Sequence, residues 1–209
     1  PFSPAPVPSS RPMQLPWPLR DELHARRLAR AREGDGEAFR ALYRDLYPDV
    51  ARFVARRVRA RADAEDLTAR VFVVFVERLG DYDRARGSVR AWLLTVARNA
   101  IIDHFRRTRP TGGLDGLLDA LPCDGAGPLD GLLAREQLGR LAAVVRDLEP
   151  EARELLALRF ADGLRHREIA AVLGLQEAAV KQRVSRTLRD LRARLAPVTS
   201  KKGAADALA

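Results

Sequence analysis

The stretch from Leu164 to Leu195, LRHREIAAVLGLQEAAVKQRVSRTLRDLRARL, limits what the chain can fold into more than any other, because its pattern reads as two helices joined by a tight turn. Ile169, Ala170 and Leu173 recur at helical spacing, Gly174 suits the left-handed position that ends a helix, and Leu175 is an apolar plug in the turn. From near Glu177 a second helix gathers Val180, Val184, Leu188, Leu191 and Leu195 on one stripe and turns Lys181, Arg183, Arg186 and Arg189 away from it. Helix, glycine turn and basic second helix are the parts of a helix-turn-helix, whose second helix must enter a DNA groove lined with phosphates.

Charge agrees with that reading. The chain carries a formal net charge of +9, nearly all of its positive charge is arginine, and such a balance favours a polyanionic partner. A genome rich in G and C would also enrich arginine, so charge gains its weight only beside the helix-turn-helix. With 209 residues, 46% of them hydrophobic, the chain has room for one domain or two small ones with real cores. A single cysteine, Cys123, excludes an internal disulfide framework and is read as a tolerated linker thiol. The longest apolar run, Val71 to Val76, is far short of the roughly 20 residues of a membrane helix, so no membrane insertion is expected. The opening PFSPAPVPSSRP has no apolar signal core, which predicts a cytoplasmic protein.

In chain order, residues 1–18 are proline-rich and predict an extended arm. A helix is expected from Leu19 to Glu33, ended by Gly34-Asp35-Gly36, and a second carries Phe39, Leu42, Tyr43 and Leu46. Pro48 fits the first turn of a third, with Val50, Phe53, Val54 and Val58 inward. A fourth opens on the carboxylates of Asp63, Glu65 and Asp66 and buries Leu67, Val71, Phe72, Phe75 and Leu79. The loop GDYDRARG, Gly80 to Gly87, leads to Ser88, a good N-cap for a fifth helix that runs to about Arg107 and presents Trp92, Leu93, Val96, Ala100 and Ile101. Residues 109–130 shift to Gly, Pro, Asp and Leu and read as a linker. Beyond it, four helices are expected over 131–196, including one with Leu155, Leu158 and Phe160 inward, and 197–209 form a tail. No strand-like alternation occurs. The expected fold is all-α: two small helical domains, 19–108 and 131–196, joined by a flexible linker.

Two segments resemble the conserved regions of bacterial sigma-70 family initiation factors, and in particular the small extracytoplasmic-function (ECF) group. GDGEAFRALYRDLYPDVARFVARRV, DAEDLTARVFVVFVERL and GSVRAWLLTVARNAIIDHFRR are similar to region 2, and LEPEARELLALRFADGLRHREIAAVLGLQEAAVKQRVSRTLRDLRARL resembles region 4. Both in this order, with only a linker between, make the resemblance specific. It implies that the first segment binds core RNA polymerase and recognises and melts the −10 element. The second is then expected to bind the −35 element and the polymerase flap. It further implies a non-catalytic specificity subunit whose partners are core RNA polymerase, promoter DNA and an anti-sigma factor.

Carried onto this chain, the resemblance and the side-chain chemistry give three sets of candidates. Core polymerase contacts are expected from Asp63, Glu65, Asp66 and Arg70; the family usually has a glutamine and an acid where this chain has Ala69 and Arg70, so one charge is reversed. Holding an unstacked base calls for aromatic and arginine planes with a basic track, which Tyr82, Arg84, Arg86, Trp92, Asn99, His104, Arg106 and Arg107 supply. The helical position of Trp92 matches core residues and favours burial over base holding, and Asn99 either fills a packing gap or grips a base. Bases and phosphates of the −35 element fall to Gln176, Glu177, Ala179, Lys181, Gln182, Arg183 and Arg186. Arg183 is the candidate for a guanine, Lys181 and Arg186 for phosphates, and Gln176 stands where the family often has a serine or threonine N-cap.

Other functions fit the residues less well. His24, His104 and His166 lie in separate helices without metal-ligand spacing and no phosphate-cradling glycine loop is present, so neither a metal, another cofactor nor an enzymatic activity is expected. A stand-alone repressor would leave the first helical domain unexplained. A protein that only sequesters polymerase would not need a basic recognition helix.

Overall fold

The repeat of apolar residues along 36–55 settles a choice that Pro48 leaves open. In the computed structural model, which describes residues 16–108 and 131–196, one unbroken helix spans them: α2 (Gly36–Ala55), with Pro48 inside it. Proline removes one helical N–H, but Leu42, Leu46, Val50, Phe53 and Val54 all face the core from one stripe, and their burial outweighs the missing bond. The expected break at Pro48 is therefore a correction. Asp35 caps this helix by accepting from the backbone N–H groups of Glu37 and Ala38, each at 3.0 Å.

Helix α1 (Trp17–Arg32) starts two residues earlier than Leu19, because Pro18 falls in the first turn, where its missing N–H costs nothing. Next come α3 (Arg61–Glu77), two short 3-10 turns at Leu79–Asp81 and Arg84–Arg86 within the expected loop, and α4 (Val89–Thr108). The second unit consists of α5 (Gly131–Arg146), α6 (Pro150–Leu156), α7 (His166–Leu173) and α8 (Glu177–Leu195). There is no strand among the described residues. Of the arm expected over residues 1–18, Trp17 and Pro18 belong to α1, while residues 1–15, the linker over 109–130 with Cys123 and the tail over 197–209 lie outside the described residues.

Between α6 and α7 the chain makes a π-helical turn, Ala157–Ala161, where the Asp162 N–H bonds to the Ala157 carbonyl five residues back. The wider turn rotates the following side chain off the inner stripe. Phe160, expected inside, is 62% exposed, whereas Leu158 is fully buried. Gly163 then takes φ +67°, a backbone that favours glycine, and brings Leu164 inward.

The two units share one core. Phe53, Phe75, Leu93, Leu94 and Ile101 of the first belong to the same buried cluster as Leu155, Leu158, Leu164, Ile169 and Val180 of the second. A smaller cluster, Leu148, Leu156 and Leu191, closes the far side of the second unit. Tyr43, Tyr47, Phe72 and Phe75 form a chain of ring contacts between α2 and α3, with centroids 4.6 to 6.1 Å apart.

His24 is buried under α2, its Nε2 3.5 Å from Asp45 and neither ring nitrogen hydrogen-bonded. Burial, and then the neighbouring Arg20, push its pKa below the usual value of 6.5, against the pull of Asp45. A histidine whose folded pKa is lowered takes its proton more readily in the unfolded chain, so stability falls as pH drops below about 6.5. Thermal unfolding between pH 7 and pH 5 should show this loss, at a limit of about 1.4 kcal/mol per pH unit for one proton. His24→Gln should flatten the slope in that window.

Candidate nucleic-acid interface

The recognition helix is built from the turn outward. Gly174 takes φ 66° and ψ 33°, and the Leu175 N–H reaches back to the Ala170 carbonyl at 2.9 Å, a left-handed stop that sets the start of α8. Gln176 precedes α8 without a side-chain cap bond, as expected where glutamine replaces the usual serine or threonine. Val180, Val184, Thr187 and Leu191 are buried; Lys181, Gln182, Arg183 and Arg186 stand exposed on the other face, and Glu177 and Ala179 are half-buried. Lys181 pairs with Glu177 at 2.9 Å, and this contact first of all holds the Glu177 carboxyl below its usual range. Arg183 reaches Glu151 at 3.2 Å across an exposed surface, a contact weak enough to exchange for a base or phosphate.

The second cationic surface lies around the loop before α4. Tyr82 is half-buried, its hydroxyl donating to the Gly87 carbonyl at 2.9 Å, and burial pushes its phenol pKa up. Trp92 packs between Tyr82 and Phe75, with centroids 5.9 and 5.6 Å away, and remains partly exposed. It is thus both a core-edge residue and a ring at the surface. Asn99 is exposed, which removes the packing-gap role. Arg86, Arg106 and Arg107 are exposed, Arg84 is paired with Glu22 of α1, and His104 lies 3.6 Å from Asp63.

Composition gave no hint of Arg32 as the organiser of this loop. Its guanidinium donates to the carbonyls of Leu79 at 2.7 Å, Gly80 at 3.0 Å and Tyr82 at 2.8 Å, and lies 6.0 Å from the Tyr82 ring centroid. From the other side, Arg167 of α7 donates to the Ala85 carbonyl at 3.2 Å.

On α3 the candidate polymerase contacts Glu65, Asp66 and Arg70 are exposed and Asp63 is half-buried. Glu65 is tied to Arg61 at 2.8 Å. The same outward face carries Ala69, Val73 and Val76, the two valines more than half exposed. It is an apolar strip edged with charge, and the two valines were not among the expected contacts.

Between the units runs a polar seam that sequence reasoning missed entirely. Asp162 accepts from Arg56 at 2.8 Å and Arg57 at 2.7 Å, while its backbone carbonyl accepts from Arg90 at 2.6 Å. Arg90 also donates to Asp49 at 2.6 Å, which Arg20 reaches at 3.2 Å; burial raises the Asp49 pKa, but Arg90 and Arg20 bring it below the usual range. Glu154 takes both Arg98 Nε at 2.6 Å and Nη2 at 3.0 Å, a fork that raises the Arg98 pKa. The Ser88 hydroxyl accepts from the Ala91 N–H, as its expected capping role requires, and donates to buried Glu168 at 2.7 Å. Arg165 of the second unit is paired with Asp21 of α1. The only local signal was a charge in an apolar setting, Arg90 between Val89 and Ala91.

Among the described residues no cluster of His, Cys, Asp and Glu fits a metal ion, and no helix is long and apolar enough to cross a membrane. Comparison with known proteins gives two family matches: Sigma-70 region 2 over residues 42–111 and Sigma-70, region 4 over residues 138–191. The chain is 36% identical over 175 residues to the ECF RNA polymerase sigma factor BldN of Streptomyces coelicolor, covering 81% of this chain and 64% of that one, so it spans just under two thirds of this relative's length. It is 32% identical over 167 residues to the RNA polymerase sigma factor CarQ of Myxococcus xanthus, covering 79% of this chain and 93% of CarQ. The solved structure of CnrH in complex with the cytosolic domain of CnrY is similar at a TM-score of 0.50 and 27% identity, over 84% of this chain and 96% of that one.

Arg32→Ala should free the loop without disturbing the core, since the side chain lies at the surface. Amide hydrogen exchange over residues 80–87 should quicken about tenfold, the loss of roughly 1.4 kcal/mol from hydrogen bonds to a charged donor, while exchange in α2 and α8 stays as in the parent chain.

Proposed function

The chain belongs to the ECF group of the sigma-70 family, and from that premise we propose that it directs core RNA polymerase to specific promoters through separate contacts to the −35 and −10 elements and helps open the DNA. The observation that carries this reading is α8: a buried stripe fixes the helix, and Lys181, Gln182, Arg183 and Arg186 stand exposed on its other face. An exposed recognition helix of this kind suits the major groove. In this assignment Arg183 reads a base, Lys181 and Arg186 hold phosphates, and Gln176, Glu177, Ala179 and Gln182 lie at the leading edge of the helix.

The −10 element falls to the first unit. Tyr82 and Trp92 offer adjacent rings, Arg84, Arg86, Arg106 and Arg107 a charged track, and Asn99 and His104 hydrogen-bonding groups beside it. The α3 strip, with Asp66 and Arg70 bordering Ala69, Val73 and Val76, is the docking face for core polymerase; Asp63 and Glu65 are its acidic margin. Arg70 reverses a family charge there, and the exposed valines supply apolar contact that needs no charge match. An anti-sigma protein is the remaining partner in this reading, in keeping with the CnrY-bound state of the similar CnrH.

Run-off transcription with purified core polymerase tests the proposal: transcripts from a defined start support it, and no specific initiation overturns it. On promoters identified in this way, Arg183→Ala should cost about 1–3 kcal/mol at one base position and little at mismatched sites. A uniform loss on all sequences would make Arg183 a phosphate contact instead. Asp66→Arg should weaken core polymerase binding at least tenfold, and unchanged affinity would remove Asp66 from the docking face.

A further inference from the structure

Five arginines of the first unit, Arg20, Arg52, Arg56, Arg57 and Arg90, converge on two carboxylates, Asp49 and Asp162. Most of this cluster is out of water: Arg57 and Arg90 are buried, and so are both acids. Excess like charge in a buried seam is costly unless each guanidinium finds acceptors. Two of the donors in it do not: Nε of Arg56 and Nε of Arg57 are buried with no hydrogen-bond partner among the described residues, although both guanidiniums reach Asp162 through Nη2. Arg57 also lies with its guanidinium 3.6 Å from the Phe53 ring centroid and donates to the Phe53 carbonyl, so its plane is held in place independently of Asp162. The cluster is fixed by the first unit and is richer in donors than the acids supplied by the second unit can use.

Promoter geometry gives this arrangement a role. The −35 and −10 elements lie some 25 base pairs apart, about 85 Å along duplex DNA at 3.4 Å per pair. A closed globule of this size is about 40 Å across. The two elements therefore cannot be reached together while α7 is seated on α4, and the second unit must lift away, taking Asp162 and Glu154 with it. Without replacement anions, Arg56, Arg57 and Arg98 would lose their carboxylate partners at once.

We propose that the seam is a masked phosphate-binding surface: in the closed chain Arg56 and Arg57 hold the Asp162 carboxylate, Arg98 that of Glu154 and Arg90 the Asp162 backbone carbonyl, and in the open one all four bind the backbone phosphates of promoter DNA. The carboxylates are stand-ins for phosphate. Arginine forks donate to either anion with the same bidentate geometry, and Arg98 on Glu154 already displays it. Arg90 and Arg98 lie on α4, the helix of Trp92, Asn99, Arg106 and Arg107, so uncovering them extends the basic track beside the proposed strand-holding residues. DNA thereby replaces the ion pairs that opening breaks, and free chain stays shut.

The inference rests on the promoter-directed reading above, and its test separates the two. Binding of the full chain to a labelled single-stranded 20-mer and to its duplex is followed as a function of salt. Asp162→Asn with Glu154→Gln should bind at least tenfold more tightly at low salt, with the slope of log K against log salt steeper by about 2 to 3 on the single strand, as expected for up to four newly available phosphate contacts. Adding Arg57→Gln and Arg90→Gln to that variant should cancel about half of the gain. Steepening on the single strand alone assigns the surface to the melted strand, and steepening on both assigns it to the backbone of either. Unchanged slopes, or a gain that survives loss of the arginines, overturn the proposal. Should far-UV dichroism show that the double variant has unfolded, Glu154→Gln alone, at the seam's edge, must steepen the slope by about 0.7, and its failure to do so also overturns it. Specific run-off transcription with unchanged slopes removes the masked surface and leaves the sigma-factor reading; steeper slopes without run-off do the reverse.

Discussion

The buried carboxylate of Asp162 sets how the two halves of this chain meet. It follows the π-helical turn directly and precedes Gly163, so its position is fixed by backbone on both sides. Arg56 and Arg57 come to it from the end of α2, and Arg90 meets its carbonyl from the start of α4. Removing one partner from a buried pair of this kind typically costs about 3–5 kcal/mol, because the charge left behind has neither water nor partner. Apolar burial at Leu158, Leu164 and Ile169 supplies attraction between the units, but it has no direction. The ion pairs supply the direction, and with it the orientation of α7 and α8 on α4.

What could be read from the sequence follows the range of each interaction. The helix-turn-helix, the left-handed Gly174, the Ser88 cap and most inward residues were legible, since each depends on neighbours within one or two turns. Phe160 was misplaced because the π-helical turn shifts the helical register, and nothing in LALRFADG announces an extra residue per turn. Pro48 was overread as a boundary: a local rule about proline gave way to a buried stripe that runs past it. The seam could not be read at all. Arg57 and Asp162 are 105 positions apart, and in the sequence both look like ordinary surface charge.

The same distinction applies to the interface. Exposure of Lys181, Gln182, Arg183 and Arg186 was expected from the α8 stripe, and it is what the structure has. The loop before α4 was located correctly, but the groups that shape it, Arg32 from α1 and Arg167 from α7, come from elements that no local pattern links to it. Trp92 resolves an ambiguity in a way neither alternative foresaw, because one face of its ring packs at the edge of the core while the residue stays partly exposed.

Ser88 couples these parts through a single hydroxyl. It accepts the Ala91 N–H at the start of α4 and donates to Glu168, whose other oxygen accepts the Arg165 N–H at the start of α7. One buried chain of hydrogen bonds thus caps both the helix proposed to hold the melted strand and the first helix of the proposed duplex reader. In the proposed opening Glu168 leaves Ser88, while each helix keeps its own half of the link: Ser88 can still accept from Ala91, and Glu168 from Arg165. The break therefore falls between the helices and costs one charge-assisted bond, about 1.5–3 kcal/mol before water replaces it. That is small beside the ion pairs around Asp162, so the barrier to opening is concentrated in the arginine cluster, where a polyanion is suited to relieve it.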